Sequence, residues 1–92
     1  MIGSFRHGGL KRYFAAGSAR GIPADIVKRI RVRLNALDRA KDLRDLDLPG
    51  FDFHPLKGRR KGEYAIVATG NFRLTFRFDG SNVLDLNLED YH

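Results

Sequence analysis

Apolar and polar positions change period near the middle of the chain. Over residues 24–40, Ile26, Val27, Ile30, Leu34 and Leu37 fall within about a third of a helical circumference at 100° per residue. Lys28, Arg31 and Arg39 fall opposite, and Arg29 and Arg33 border the apolar arc. This pattern predicts an amphipathic helix. Gly21 and Pro23 open it, and Asp25 complements the positive end of its dipole. Upstream, Leu10, Tyr13 and Phe14 at helical spacing predict a shorter helix over 10–16, with Gly17 as its stop. Ile2–Phe5, bounded by Gly8-Gly9, reads as a short strand. Residues 42–47 predict a further helical turn that Pro49-Gly50 ends.

The second half alternates with period two. Phe51-Asp52-Phe53 reads as a short strand leading into the loop His54-Pro55-Leu56-Lys57-Gly58. Glu63–Thr69 and Phe72–Phe78 read as strands joined by a tight two-residue turn at Gly70-Asn71, and Val83–Leu88 as the last strand after Asp79–Asn82. Phe72, Leu74, Phe76 and Phe78 share one face, as do Leu84, Leu86 and Leu88. Arg73, Thr75 and Arg77 share the other, with Asp85 and Asn87. Helices come early and strands late. The expected fold is α+β: a small twisted, mainly antiparallel sheet with two N-terminal helices on its apolar face. No helix is left to cover the polar face, which is expected to be open and charged.

Ninety-two residues leave room for one domain, expected to span 1–92. With 42% apolar and 30% charged residues the composition is that of a folded protein rather than a disordered one. There is no cysteine, which excludes disulfides, thiolate metal sites and a cysteine nucleophile and suits a cytoplasmic location. No apolar run approaches the ~20 residues of a membrane span, and Arg6, His7, Lys11 and Arg12 interrupt any signal-peptide core. The net charge of +6 points to an anionic partner and is segmental. Residues 1–34 carry eight Lys or Arg against Asp25 alone, whereas 35–56 lean acidic. Lys57, Arg59, Arg60 and Lys61 then cluster in one loop.

Phosphodiester cleavage in RNA needs no metal. The neighbouring 2′-OH attacks phosphorus, one group removes its proton, another protonates the leaving 5′-oxygen, and cations stabilise the phosphate. Histidine suits both proton transfers because it titrates near neutrality. His54 ends a strand beside the basic loop and His92 is the last residue; taken singly, each is more often structural or solvated than catalytic. The basic loop reads equally as a phosphate-contacting or a merely soluble loop. Arg73, in mid-sheet on the polar face, needs an anionic partner: a ligand phosphate, or Asp85 or Asn87 across the strands. Metal-ligand motifs, phosphate-binding glycine loops and nucleophile elbows are all missing, so no cofactor is expected.

Several blocks in order resemble one family. Ile2-Gly3-Ser4-Phe5, Gly21-Ile22-Pro23-Ala24, His54-Pro55-Leu56-Lys57-Gly58, Asn71-Phe72-Arg73-Leu74-Thr75-Phe76 and Glu89-Asp90-Tyr91-His92 together resemble the HigB toxins. These are the plasmid maintenance system killer branch of the RelE superfamily of type II toxin–antitoxin systems. The resemblance spans essentially the whole chain, with Phe72 standing where relatives often carry Trp. It implies a ribosome-dependent mRNA endonuclease acting in the ribosomal A site of the 70S ribosome, with 16S rRNA contacts, and a helix-turn-helix antitoxin as partner. By the same resemblance, His54, Asp90, Tyr91 and His92 form the catalytic group. Lys57 and Arg73 bind the scissile phosphate, with Arg59, Arg60 and Arg77 as further RNA-binding cations. His92 or Asp90 would accept the 2′-OH proton, His54 would act as acid or orient the substrate, and Tyr91 would stack on a base or position its neighbours.

A non-catalytic nucleic-acid-binding module using the basic face of helix 24–40 is the alternative. The exposed side of that helix lacks the base-reading pattern of a recognition helix, and no second helix completes a helix-turn-helix pair.

Overall fold

The structure, a computed structural model, describes residues 1–91; His92, assigned to the catalytic group by resemblance, lies outside the described residues. Helix α1 spans Gly8–Ala16 and α2 Val27–Arg39, the latter preceded by a 3-10 turn over Ala24–Ile26. Strands β1 (His54–Pro55), β2 (Glu63–Val67), β3 (Phe72–Phe78) and β4 (Val83–Asp90) form an antiparallel sheet in sequential order.

The helices form where the sequence places them, and the causes are local. His7 caps α1, its Nδ1 accepting the Leu10 N–H at 3.1 Å. Gly17 ends that helix in the left-handed conformation with φ 75°. The apolar arc of α2 buries Ile30, Leu34 and Leu37 in one cluster with Leu10, Ile66, Leu74, Phe76 and Leu86. Arg33, at the border of the arc, clamps the helix to the sheet edge. Its Nε donates to the Val67 carbonyl at 2.5 Å, and its guanidinium lies 4.7 Å from the centre of the Phe51 ring.

Four expectations for the sheet change. The edge strand is His54–Pro55 rather than 51–53, because Asp52 adopts a left-handed conformation with φ 47° and breaks the ladder. The β2–β3 connection is four residues, 68–71, rather than a two-residue primed turn. Thr69 Oγ1 accepts the N–H groups of Asn71 and Phe72, so neither Gly70 nor Asn71 needs a positive φ. In β4 an irregularity at Asp85, with φ 54°, shifts the phase. Val83 is therefore buried and Leu84 lies opposite Arg77, out of step with Leu86 and Leu88. Lastly, residues 2–5 make isolated bridges instead of a full strand. Ile2 and Phe5 run parallel to β4 at Val83 and Leu86, and the Gly3 N–H donates to the Val83 carbonyl at 2.7 Å.

Candidate active site

The cross-strand register defines the sheet face turned away from the helices. One row reads His54, Ala65, Thr75, Asn87 from β1 to β4; the next reads Val67, Arg73, Glu89; the row on the other side reads Glu63, Arg77, Leu84. His54 and Arg73, far apart in sequence, thus stand on one face, two strands and one row apart.

That face is less open than the alternation suggests. Neither α1 nor α2 covers it, but Arg60, at the end of a 3-10 turn over Gly58–Arg60, reaches across β2 and β3 to Glu89 on β4. It meets Glu89 Oε2 at 2.5 Å and Oε1 at 2.8 Å, and Glu63 Oε1 at 2.9 Å. Ala65 and Thr75 are accordingly 0% and 1% exposed although they belong to the polar face.

Six hydrogen bonds converge on the Glu89 carboxylate. Besides the two from Arg60, Arg73 donates from Nε at 3.3 Å and from Nη2 at 3.2 Å, Thr75 Oγ1 at 2.8 Å and Asn87 Nδ2 at 3.5 Å. The bond from Arg60, reinforced by Thr75 and Arg73, lowers the Glu89 pKa to about 2 despite burial. Arg60 bonding likewise lowers Glu63, and the two carboxylates raise Arg60. Arg73 is therefore partnered across the strands by Glu89. Asp85 and Asn87 are not its ion partner: Asp85 sits at the irregularity and lies 3.9 Å from Arg77 instead.

The other expected residues take definite places. His54 Nδ1 lies 2.8 Å from the Asp52 carbonyl oxygen. A carbonyl only accepts, so Nδ1 carries a hydrogen and Nε2 is the ring nitrogen left for proton exchange. Lys57 and Arg59 are exposed, and their side chains bond no protein group among the described residues. Lys57 borders a groove of about 490 Å³ whose walls include Pro55, Leu56, Lys61 and Tyr64. Arg77 is half exposed, 4.0 Å from Glu63. Tyr91 is held by its N–H, which donates to the Asn71 carbonyl at 3.0 Å, and its ring centre lies 5.0 Å from the Arg73 guanidinium carbon. Asp90 is exposed and pairs with Phe72, one step out of phase with Arg73 and Glu89.

The structure thus joins Arg73 to Tyr91 directly, puts His54 on the same face, and turns Arg60 inward. Sequence reasoning missed Glu89, Glu63 and Thr75. The signal available for Glu89 is its period-two spacing from Asn87 and Asp85, two and four residues before it on the same strand pattern. Among the described residues, no group of three or more His, Asp or Glu is gathered as a metal-ligand set. No described helix is long and apolar enough to cross a membrane.

Such a face can hold a phosphate against the oriented Arg73 guanidinium, with the His54 imidazole on the same face. Known proteins share the fold. YoeB, solved as a dimer from Staphylococcus aureus, superposes with a TM-score of 0.62 at 18% identity, over 99% of this chain and 97% of that one. YafQ from E. coli strain BL21(DE3) superposes with a TM-score of 0.57 at 14% identity, over 98% and 93%. These likenesses show the fold. A curated relative from Proteus vulgaris, named Endoribonuclease HigB, is 45% identical over 92 residues, the full length of both chains. Residues 3–92 match the family described as the RelE-like toxin of type II toxin-antitoxin system HigB. The chain belongs to this HigB-like toxin family.

Proposed function

We propose that this RNA endonuclease toxin cuts mRNA in the A site of the translating 70S ribosome, by 2′-OH attack and without a metal. The observation that carries the reading is Arg73, held edge-on by Glu89 and face-on by Tyr91, on the same sheet face as His54. An arginine so fixed suits a phosphate whose charge grows in the transition state.

The 2′-OH gives its proton to His92, since Asp90 stands one step out of phase with Arg73, and its oxygen bonds to phosphorus. The bond to the 5′-oxygen breaks, and His54, protonated at Nε2, gives that oxygen its proton. The products are a 2′,3′-cyclic phosphate and a free 5′-hydroxyl. Lys57 and Arg73 balance the charge on the phosphorane, Arg59 and Arg77 contact flanking phosphates, and Tyr91 positions Arg73 while offering an edge to a base. Arg60 serves the RNA site through Glu89, since its donors already serve two carboxylates.

A type II toxin has an antitoxin partner. In this reading the antitoxin carries a helix-turn-helix, and the system acts in the cytoplasm. The exposed basic residues among the first 34 positions are suited to 16S rRNA or to an acidic segment of that antitoxin.

The test uses purified toxin and end-labelled mRNA, bare or loaded on 70S ribosomes, with and without a 2′-O-methyl group at the cleaved nucleotide. Cleavage on the ribosome, a cyclic phosphate end and complete loss on methylation are expected. Equal cleavage of bare RNA, or cleavage next to the methylated sugar, overturns the reading.

A further inference from the structure

We infer that Glu89 is the positioning residue of Arg73: it holds the guanidinium so that one edge faces the RNA phosphate. The inference rests on the proposed RNA site and adds to it a residue that touches no substrate.

Three observations carry it. The first is convergence. Donors from the basic loop (Arg60), from β3 (Arg73, Thr75) and from β4 itself (Asn87) meet on one carboxylate that is 18% exposed at its side chain. Ion networks taken out of water gain little stability over well-packed apolar residues, so so complete an arrangement is poorly accounted for by stability alone.

The second is direction. Arg73 gives both Nε and Nη2 to the same oxygen, Glu89 Oε1, which turns Nη1 away from the carboxylate; among the described residues Nη1 has no protein partner. Tyr91 covers the face of the same guanidinium. One edge and one face are thus occupied, which leaves a single donor-bearing edge for an incoming oxyanion.

The third is charge. Arg60 and Arg73 approach the same point, and Glu89 together with Glu63 offsets them. Without that offset the two guanidiniums repel and Arg73 is free to swing out. Exposed Lys57, Arg59 and Arg77 still attract RNA, so initial binding persists while orientation is lost.

The experiment measures kcat and KM for cleavage on programmed ribosomes in four proteins: wild type, Glu89→Gln, Arg73→Ala and the double variant. Thermal melts are recorded alongside. Glu89→Gln is expected to lower kcat at least tenfold with KM within twofold of wild type, and to have no further effect once Arg73 is alanine. A merely structural Glu89 gives the same proportional loss in both backgrounds, which overturns the inference, as does an unchanged kcat in Glu89→Gln. If Glu89→Gln does not fold, Thr75→Val, which removes one bond to Glu89 at equal volume, takes its place in the cycle. Its loss must likewise vanish beside Arg73→Ala, and an additive loss overturns the inference. Arg73→Ala cleaving at the wild-type rate overturns the site reading itself, and is told apart by that single variant.

Discussion

His54 is tied to the backbone two residues before it: its Nδ1 donates to the Asp52 carbonyl oxygen at 2.8 Å. The carbonyl is aimed by an unusual backbone, since Asp52 has φ 47°, a conformation that asparagine and glycine tolerate and β-branched residues resist. The side chain of Asp52 takes no part in the contact. Asp52→Asn is therefore expected to keep near-wild-type cleavage. Asp52→Val is expected to cost about 1–2 kcal/mol of stability and to lower cleavage by misplacing the imidazole. Parallel melts and cleavage assays check both; an active, stable Asp52→Val removes the strain argument.

Lys57 is exposed, and its side chain holds no hydrogen bond or ion pair among the described residues. Lys57→Ala should leave the melting curve nearly unchanged, within about 0.5 kcal/mol as for other surface positions. It should reduce cleavage by about 10²-fold, the scale of losing one charge-stabilising donor. In cells, induction of the variant should no longer arrest growth. Persistent arrest at equal protein level would show that Lys57 does not act on the phosphate.

Acid should unfasten the polar face. Glu89 has a folded-state pKa of about 2 against an ordinary 4.5. A depressed carboxylate stabilises the fold fully above the unfolded pKa and loses that contribution as pH falls towards the folded one. The loss should therefore run from about pH 4.5 down to 2 and reach on the order of 3 kcal/mol. Glu89→Gln should flatten this part of the stability–pH curve measured by urea melts. An unchanged curve would place the acid sensitivity elsewhere.

His7 offers an independent titration. Burial, then Arg12, lowers its pKa, and its neutral Nδ1 caps α1. The folded state therefore resists protonation, so stability is full above the ordinary histidine pKa and declines as pH falls below it. His7→Ala should cost about 1 kcal/mol and abolish that decline, whereas His7→Asn should restore the cap without titrating. Chemical-denaturant melts between pH 5 and 8 distinguish the three.

Residues whose pattern reflects only near neighbours were legible in the sequence. The apolar arc of α2, the stop at Gly17 and the alternation of Phe72–Phe78 depend on local period, and the structure keeps each. Asp52 and Asp85 were not legible, because their positive φ values serve long-range pairing and aspartate carries no glycine-like signal. Glu89 was hidden for the same reason. It becomes the partner of Arg73 only through the β3–β4 register, which the irregularity at Asp85 resets. The identities of His54, Lys57, Arg73 and Tyr91 as a group came from family resemblance, not from spacing; the register then placed His54 and Arg73 on one face.

The bridges from residues 2–5 to β4 bear on when the toxin becomes dangerous. Residues 2–5 find their partner in β4, and Ser4 bonds Asp85 across 81 positions. Contacts of such separation form late in folding. Glu89, and with it the orientation of Arg73, also arrives with that strand. A chain that has folded only as far as β3 thus lacks the Glu89 carboxylate: Arg60 keeps only Glu63, and the Arg73 guanidinium lacks the carboxylate that holds it in place on the polar face.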